Sequence, residues 1–120
     1  MITINDLSFS YNEKTVLKNI TMNLEEGRIY GLLGENGVGK TTLLTLLCGL
    51  KKVKTGSIDI DGYNPYDRNP SFLSEQFYLS DEVAGANMTA AGYARNYGKF
   101  WDKFDYDKFI EVMGVFENDI

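Results

Sequence analysis

Gly34-Glu35-Asn36-Gly37-Val38-Gly39-Lys40-Thr41 decides the reading of this chain. It fits G-x-x-x-x-G-K-[ST], the P-loop pattern that cradles nucleotide phosphates. Before it, Arg28-Ile29-Tyr30-Gly31-Leu32-Leu33 reads as a strand, and the near-continuous apolar run predicts that both of its faces are covered. After it, Thr41-Thr42-Leu43-Leu44-Thr45-Leu46-Leu47-Cys48 reads as a helix. Strand, glycine loop and helix together are the context that gives the motif its meaning.

The residue types suit an anionic ligand. Glycine lets a main chain approach phosphate in conformations that a Cβ would block. Main-chain amides from Gly34 through Asn36, Gly37, Val38 and Gly39 are therefore the candidate phosphate cradle, an anion-binding nest. The helix that starts near Lys40 adds unpaired N–H donors and the positive end of its dipole. Lys40 supplies a point charge for the β- and γ-phosphates. The Thr41 hydroxyl is the expected Mg²⁺ ligand. Thr42 either donates to a phosphate oxygen or caps the helix start. The alternative is an ordinary glycine-rich turn between strand and helix; a dinucleotide site fits less well, because the stretch holds no G-x-G-x-x-G.

The chain has 120 residues, enough for one small domain with a core. Its net charge is −5, and the acidity sits in residues 61–120, where eleven acidic side chains face five basic ones. That distribution argues against nucleic acid as a partner, which calls for a basic face. There is no histidine, so neither a His-based metal site nor a His general base is available. Cys48 is the only cysteine and reads as a small core residue. The first residues lack the basic and apolar regions of a signal peptide, and no apolar run approaches membrane-spanning length. A cytoplasmic location is the default expectation.

Alternation of apolar residues changes parity between Ile2/Ile4 and Leu7/Phe9/Tyr11, which predicts a strand with a bulge at Asn5-Asp6. Ile20, Met22 and Leu24 predict a second strand, and Ser57 to Gly62 a third with one wet face. Lys51-Lys52-Val53-Lys54-Thr55-Gly56 reads as an exposed basic loop, Tyr63 to Pro70 as loop, and Ser71 to Ser74 as a brief strand. Ala90, Tyr93, Ala94 and Tyr97 fall at helix spacing. So do Tyr106, Phe109, Ile110 and Met113, with Asp105 as N-cap. The aromatic stretch from Tyr97 to Tyr106 reads as packing between these two helices; the other reading is a surface for a permease or the lipid interface.

Beyond the P-loop, Leu7-Ser8-Phe9-Ser10-Tyr11, Thr15 to Ile20, Glu26 to Gly34, Leu47-Cys48-Gly49-Leu50 and Gly56-Ser57-Ile58 follow in order the opening of one family. On these residues the chain resembles the first part of an ATP-binding cassette (ABC) ATPase. The resemblance is close over residues 1–80 and loose beyond. It implies an α/β P-loop NTPase fold, incomplete here: an N-terminal antiparallel β subdomain with the P-loop strand and helix over 1–80, then the start of a helical subdomain over 81–120. It implies ATP and Mg²⁺ as ligands, with adenine stacked on Tyr11 beside Val16. From residue type alone, Tyr11 reads better as a strand-end aromatic with its hydroxyl in water; it is the resemblance that turns the reading to adenine. Gln76 resembles the family's Q-loop glutamine, which would join Thr41 at the metal and Lys40 in catalysis; the plain alternative is a surface glutamine.

Two segments imitate later family motifs. Phe77 to Glu82 copies the Walker B pattern, but Ser80 breaks its apolar run and it follows the P-loop too closely. Leu73-Ser74-Glu75-Gln76 copies the signature sequence without its glycines. Both are rejected, so the signature, the Walker B carboxylates and the switch histidine are all missing. The resemblance then implies an N-terminal piece of a longer protein, with weak or no ATP binding and no appreciable turnover on its own. The complete protein would hydrolyse ATP as a homodimer or heterodimer on the inner face of the cell membrane, powering a separate permease chain. A soluble ABC ATPase uncoupled from transport, a different P-loop enzyme, and a piece with no activity of its own remain as alternatives.

Overall fold

A computed structural model describes residues 1–35, 39–80 and 87–115. The chain divides into two compact units, Met1–Gln76 and Phe77–Ile120.

The first unit is built on β1 (Ile2–Tyr11), β2 (Lys14–Leu24) and β3 (Thr55–Ile60), an antiparallel sheet in the order β2-β1-β3. The bulge expected at Asn5-Asp6 is present. Asp6 has φ 47°, and the β1–β2 register slips between Ile4 and Leu7. The extra residue keeps Ile4, Leu7 and Phe9 all buried despite their change of parity. β2 begins earlier than the Ile20 alternation suggests. A left-handed residue at Asn19 (φ 49°) interrupts the period of two, so Leu17 and Ile20, an odd number of positions apart, pair with Phe9 and Leu7 on the same face.

α1 (Lys40–Leu47) buries Thr42, Leu43 and Leu46, and the two leucines join Ile4, Leu7, Phe9, Leu17 and Ile58 in one core. Its end is a Schellman turn. Gly49 N–H donates to Leu46 at 3.2 Å and Leu50 N–H to Thr45 at 3.0 Å, with Gly49 left-handed at φ 79°. Two Asn-Pro pairs then start short helical turns, a 3₁₀ turn at Pro65–Asp67 and α2 (Pro70–Leu73). In each, the asparagine oxygen accepts an amide two residues on, at 3.1 and 2.9 Å. Residues 71–74 are therefore not the brief strand that the sequence suggested. Asn69 as N-cap and Pro70 as first helical residue outweigh local strand preference.

The P-loop strand is the larger correction. Residues 28–33 form no strand, and Ile29 and Leu33 are 102% and 93% exposed. A strand buried on both faces needs ladder partners on its edges. Among the described residues no strand pairing reaches this segment.

In the second unit, α3 (Ala90–Tyr97) is capped by the Thr89 hydroxyl, which accepts Gly92 N–H at 3.1 Å. Its buried face is Ala91, Ala94 and the following Gly98, not the Tyr93/Tyr97 stripe. Those two tyrosines stack on one another at 4.6 Å and stay exposed. Phe104 lies on Gly98 so closely that a Cβ there would meet its ring at 2.5 Å. A 3₁₀ turn, Gly98–Phe100, leads to α4 (Tyr106–Val115), whose Lys108 N–H donates to the Asp105 carboxylate at 3.0 Å, as the N-cap reading expected. The aromatic stretch pairs ring on ring, Trp101 with Phe77 and Phe100, and Phe104 with Phe109. Yet Phe100 is 62% exposed, so the stretch is not the packed core that was expected.

Candidate functional site

β1 ends at Tyr11, a two-residue turn follows, and β2 returns through Lys14 and Val16. This hairpin end faces the start of α1. Together Tyr11, Lys14, Val16, Gly39, Lys40, Thr41 and Thr42 line one surface cleft of about 270 Å³. The structure thus joins two groups far apart in sequence, the candidate base contacts and the end of the P-loop.

Gly39 is the N-cap of α1 with φ 99°, and no side chain caps the helix. A Cβ at Gly39 would lie 2.9 Å from Val16 and Leu17 side-chain carbons, so only glycine brings the helix start this close to β2. The amides of the first turn are left to water or to an anion. The Lys40 ammonium donates to the Gly34 carbonyl, across the loop. Thr41 is exposed, whereas Thr42 is buried with its hydroxyl 3.3 Å from the Tyr11 hydroxyl. Asn36, Gly37 and Val38 lie outside the described residues, as do Asp81 and Glu82 of the rejected Walker B imitation.

Tyr11 is held from several sides. The Phe9 ring meets it edge-on at 5.0 Å, and the Lys51 ammonium sits over its ring, 5.1 Å from the centroid. The Thr42 hydrogen bond, and then the Lys51 ammonium, hold its phenol below the ordinary pKa of 10.0. Tyr11 is 42% exposed, which leaves surface for a planar ligand.

Gln76 is placed elsewhere. Its Nε2 donates to the Cys48 carbonyl at 3.1 Å, where Arg68 also donates to Gly49 at 3.2 Å. Both cap the C-terminal end of α1. The eight residues of α1 span about 12 Å, so this anchor is separated from Thr41 by the length of the helix. The expected grouping of Gln76 with Thr41 and Lys40 is not formed, because the bare carbonyls of the helix end take its amide.

For Mg²⁺, the described residues hold no cluster of three carboxylate, thiol or imidazole groups. A hard ion that keeps most of its waters needs few protein ligands, and the exposed Thr41 hydroxyl on the cleft lining fits that demand. The sequence reading missed Lys14 and Lys51. Lys14 was legible in principle, since a two-residue turn sets it directly opposite Tyr11. Nothing local in sequence ties Lys51 to Tyr11.

Comparison with known proteins identifies the family. A family model described as ABC transporter matches residues 17–114. The energy-coupling factor transporter ATP-binding protein EcfA1 of Thermotoga maritima is 49% identical over 92 residues, covering 72% of this chain and 34% of that protein. The lantibiotic transport ATP-binding protein SrtF of Streptococcus pyogenes is 42% identical over 62 residues, covering 52% of this chain and 27% of that one. Among solved structures, the ATP-binding subunit of an ABC transporter superposes with a TM-score of 0.74 at 26% identity, covering 86% of this chain and 43% of the other. A dimeric ATP-binding cassette bound to ADP and Pi gives the same TM-score at 19% identity over 99% of this chain and 58% of the other, a likeness of fold alone. The chain spans between 14% and 34% of the length of the curated relatives it matches. With an antiparallel β subdomain, the end of a P-loop and its helix in one unit, it has part of an α/β P-loop NTPase fold, and it belongs to the ABC transporter family.

Proposed function

We propose that the cleft binds ATP with Mg²⁺, and that in the whole protein this binding and the hydrolysis that follows drive transport of a substrate across a membrane. The observation that carries the reading is one cleft lined by both Tyr11 and Val16 and by Gly39 to Thr42. Tyr11 offers a ring for adenine, and Val16 an apolar flank. Base-on-aromatic stacking of this kind contributes about 1–3 kcal/mol in single-stranded nucleic-acid binders. The start of α1, Lys40 and Thr42 offer donors and positive charge to the triphosphate. Mg²⁺ at this site would supply charge neutralisation to the triphosphate. The Thr41 hydroxyl is the side chain that would hold it. The described residues supply no general base beside the cleft, so the chain's own part is to bind and orient the triphosphate.

Names of the relatives support the transport reading. EcfA1 is the ATP-binding protein of an energy-coupling factor transporter, and SrtF serves lantibiotic transport. No helix among the described residues is long and apolar enough to cross a membrane. On the strength of those names, we put the membrane path in a separate permease chain, with this protein at the inner face of the membrane and paired with a second ATP-binding subunit. Equilibrium binding of ATP with Mg²⁺ to the wild-type chain and to Lys40→Ala is the test. Loss of at least tenfold in affinity on removing the ammonium is expected; equal affinities overturn the reading.

A further inference from the structure

The basic loop after α1 is unused by the proposed nucleotide site, yet one of its cations lies on the ring at the centre of that site. We infer that Lys51 is a positioning residue for nucleotide binding: its ammonium clamps the outer side of the Tyr11 ring and keeps the ring presented to the cleft as a platform for a purine base. This rests on the reading of the cleft as a nucleotide site.

Tyr11 is the last residue of β1, at a hairpin end, and is substantially exposed. A ring in that place has freedom about both side-chain torsions unless contacts remove it. Three contacts do: the Phe9 edge at 5.0 Å, the Thr42 hydroxyl at 3.3 Å and the Lys51 ammonium at 5.1 Å from the centroid. Thr42 belongs to the first turn of α1, and Lys51 follows its last, so the ring is gripped from both ends of one helix. The Schellman turn at Gly49 fixes the course of the chain into Lys51. Lys51 is half-buried and does not line the cleft, whereas Tyr11 does. The cation therefore covers ring surface that the ligand does not use. It also draws on the π-cloud from that side, which favours stacking of an electron-rich base on the other. Lys54 makes the same kind of contact with Phe9 at 5.8 Å, so the loop docks twice on the aromatic end of β1.

The test uses the whole chain and two probes, ATP with Mg²⁺ and inorganic tripolyphosphate, which lacks a base. Lys51→Met keeps the length of the side chain and removes its charge. ATP affinity should fall about two- to fivefold, the range of an exposed cation–π contact, while tripolyphosphate affinity stays unchanged. Lys51→Arg should restore ATP binding. In a Tyr11→Ala background the Lys51→Met loss should vanish. With ¹³C-labelled tyrosine, the Tyr11 ring signal should titrate at higher pH in Lys51→Met than in wild type, which reports that the cation has left the ring, while the split between ATP and tripolyphosphate separates positioning from a merely structural role. Unchanged ATP affinity in Lys51→Met, or equal losses for both probes, overturns the proposal while leaving the nucleotide site in place. Wild-type ATP affinity in Tyr11→Ala overturns the platform itself and the role of Lys51 with it.

Discussion

Tyr11 and Gly39 show how much a single residue decides in this protein. The phenol of Tyr11 ionises below its ordinary 10.0 because the Thr42 hydroxyl and the Lys51 ammonium favour the phenolate. A lowered pKa in the folded chain adds stability that is full above the unfolded value and is lost as pH falls through the folded one. It therefore adds nothing to stability at neutral pH. On the alkaline side, a phenolate 3.3 Å from Thr42 brings negative charge to the phosphate end of the cleft. ATP affinity should decline as pH rises toward 10.0, and Tyr11→Phe should remove the part of that decline due to the phenol; binding titrations of both chains across pH 7 to about 10 check this. Gly39 makes a steric demand instead. Gly39→Ala places a left-handed Cβ against Val16 and Leu17, which should cost about 1–2 kcal/mol from the backbone alone and push α1 away from β2. Urea unfolding measures the first effect, and loss of ATP binding beyond that expected from stability measures the second.

At the scale of elements, α1 carries the site because its two ends are treated differently. Its start has no side-chain cap, leaving amides for an anion, while its end is closed by the Schellman turn, Arg68 and Gln76. Gly49→Ala should destabilise the first unit by about 2 kcal/mol or more, since a Cβ there is both left-handed and 2.1 Å from the Pro65 carbonyl oxygen. Gln76→Ala should lower stability by about 1 kcal/mol and leave ATP affinity in the isolated chain unchanged, as befits a helix-end ligand. An ATP affinity that falls with Gln76→Ala only when Mg²⁺ is present would place that amide at the metal instead.

At the scale of the molecule, the unpaired segment 28–33 stands apart. Ile29 and Leu33 bring large apolar side chains into water immediately before the P-loop, and no described strand takes up their backbone groups. Exposed apolar strand-forming segments associate. The chain as it stands should therefore self-associate in a concentration-dependent way, and the double variant Ile29→Lys/Leu33→Lys should shift it toward monomer in sedimentation or size-exclusion measurements. An unshifted profile would mean that association, if any, uses another surface.

Local chemistry written into the chain was enough for the P-loop pattern, the bulge at Asp6, the Asp105 cap and the helical run to Val115. Each depends on residues within a few positions of one another, where steric and hydrogen-bonding preferences act without help. Elsewhere, long-range partners governed the outcome. Residues 28–33 have strand-forming side chains but no ladder to join, so propensity goes unanswered. Gln76 has the chemistry of a metal ligand, but the carbonyl end of α1 claims its amide first. Lys51 looks like part of a solvated loop until the turn at Gly49 sets it on Tyr11. The cleft is of this second kind, since Tyr11 and Thr42 lie 31 positions apart in sequence, and only packing of α1 on the sheet brings their hydroxyls together.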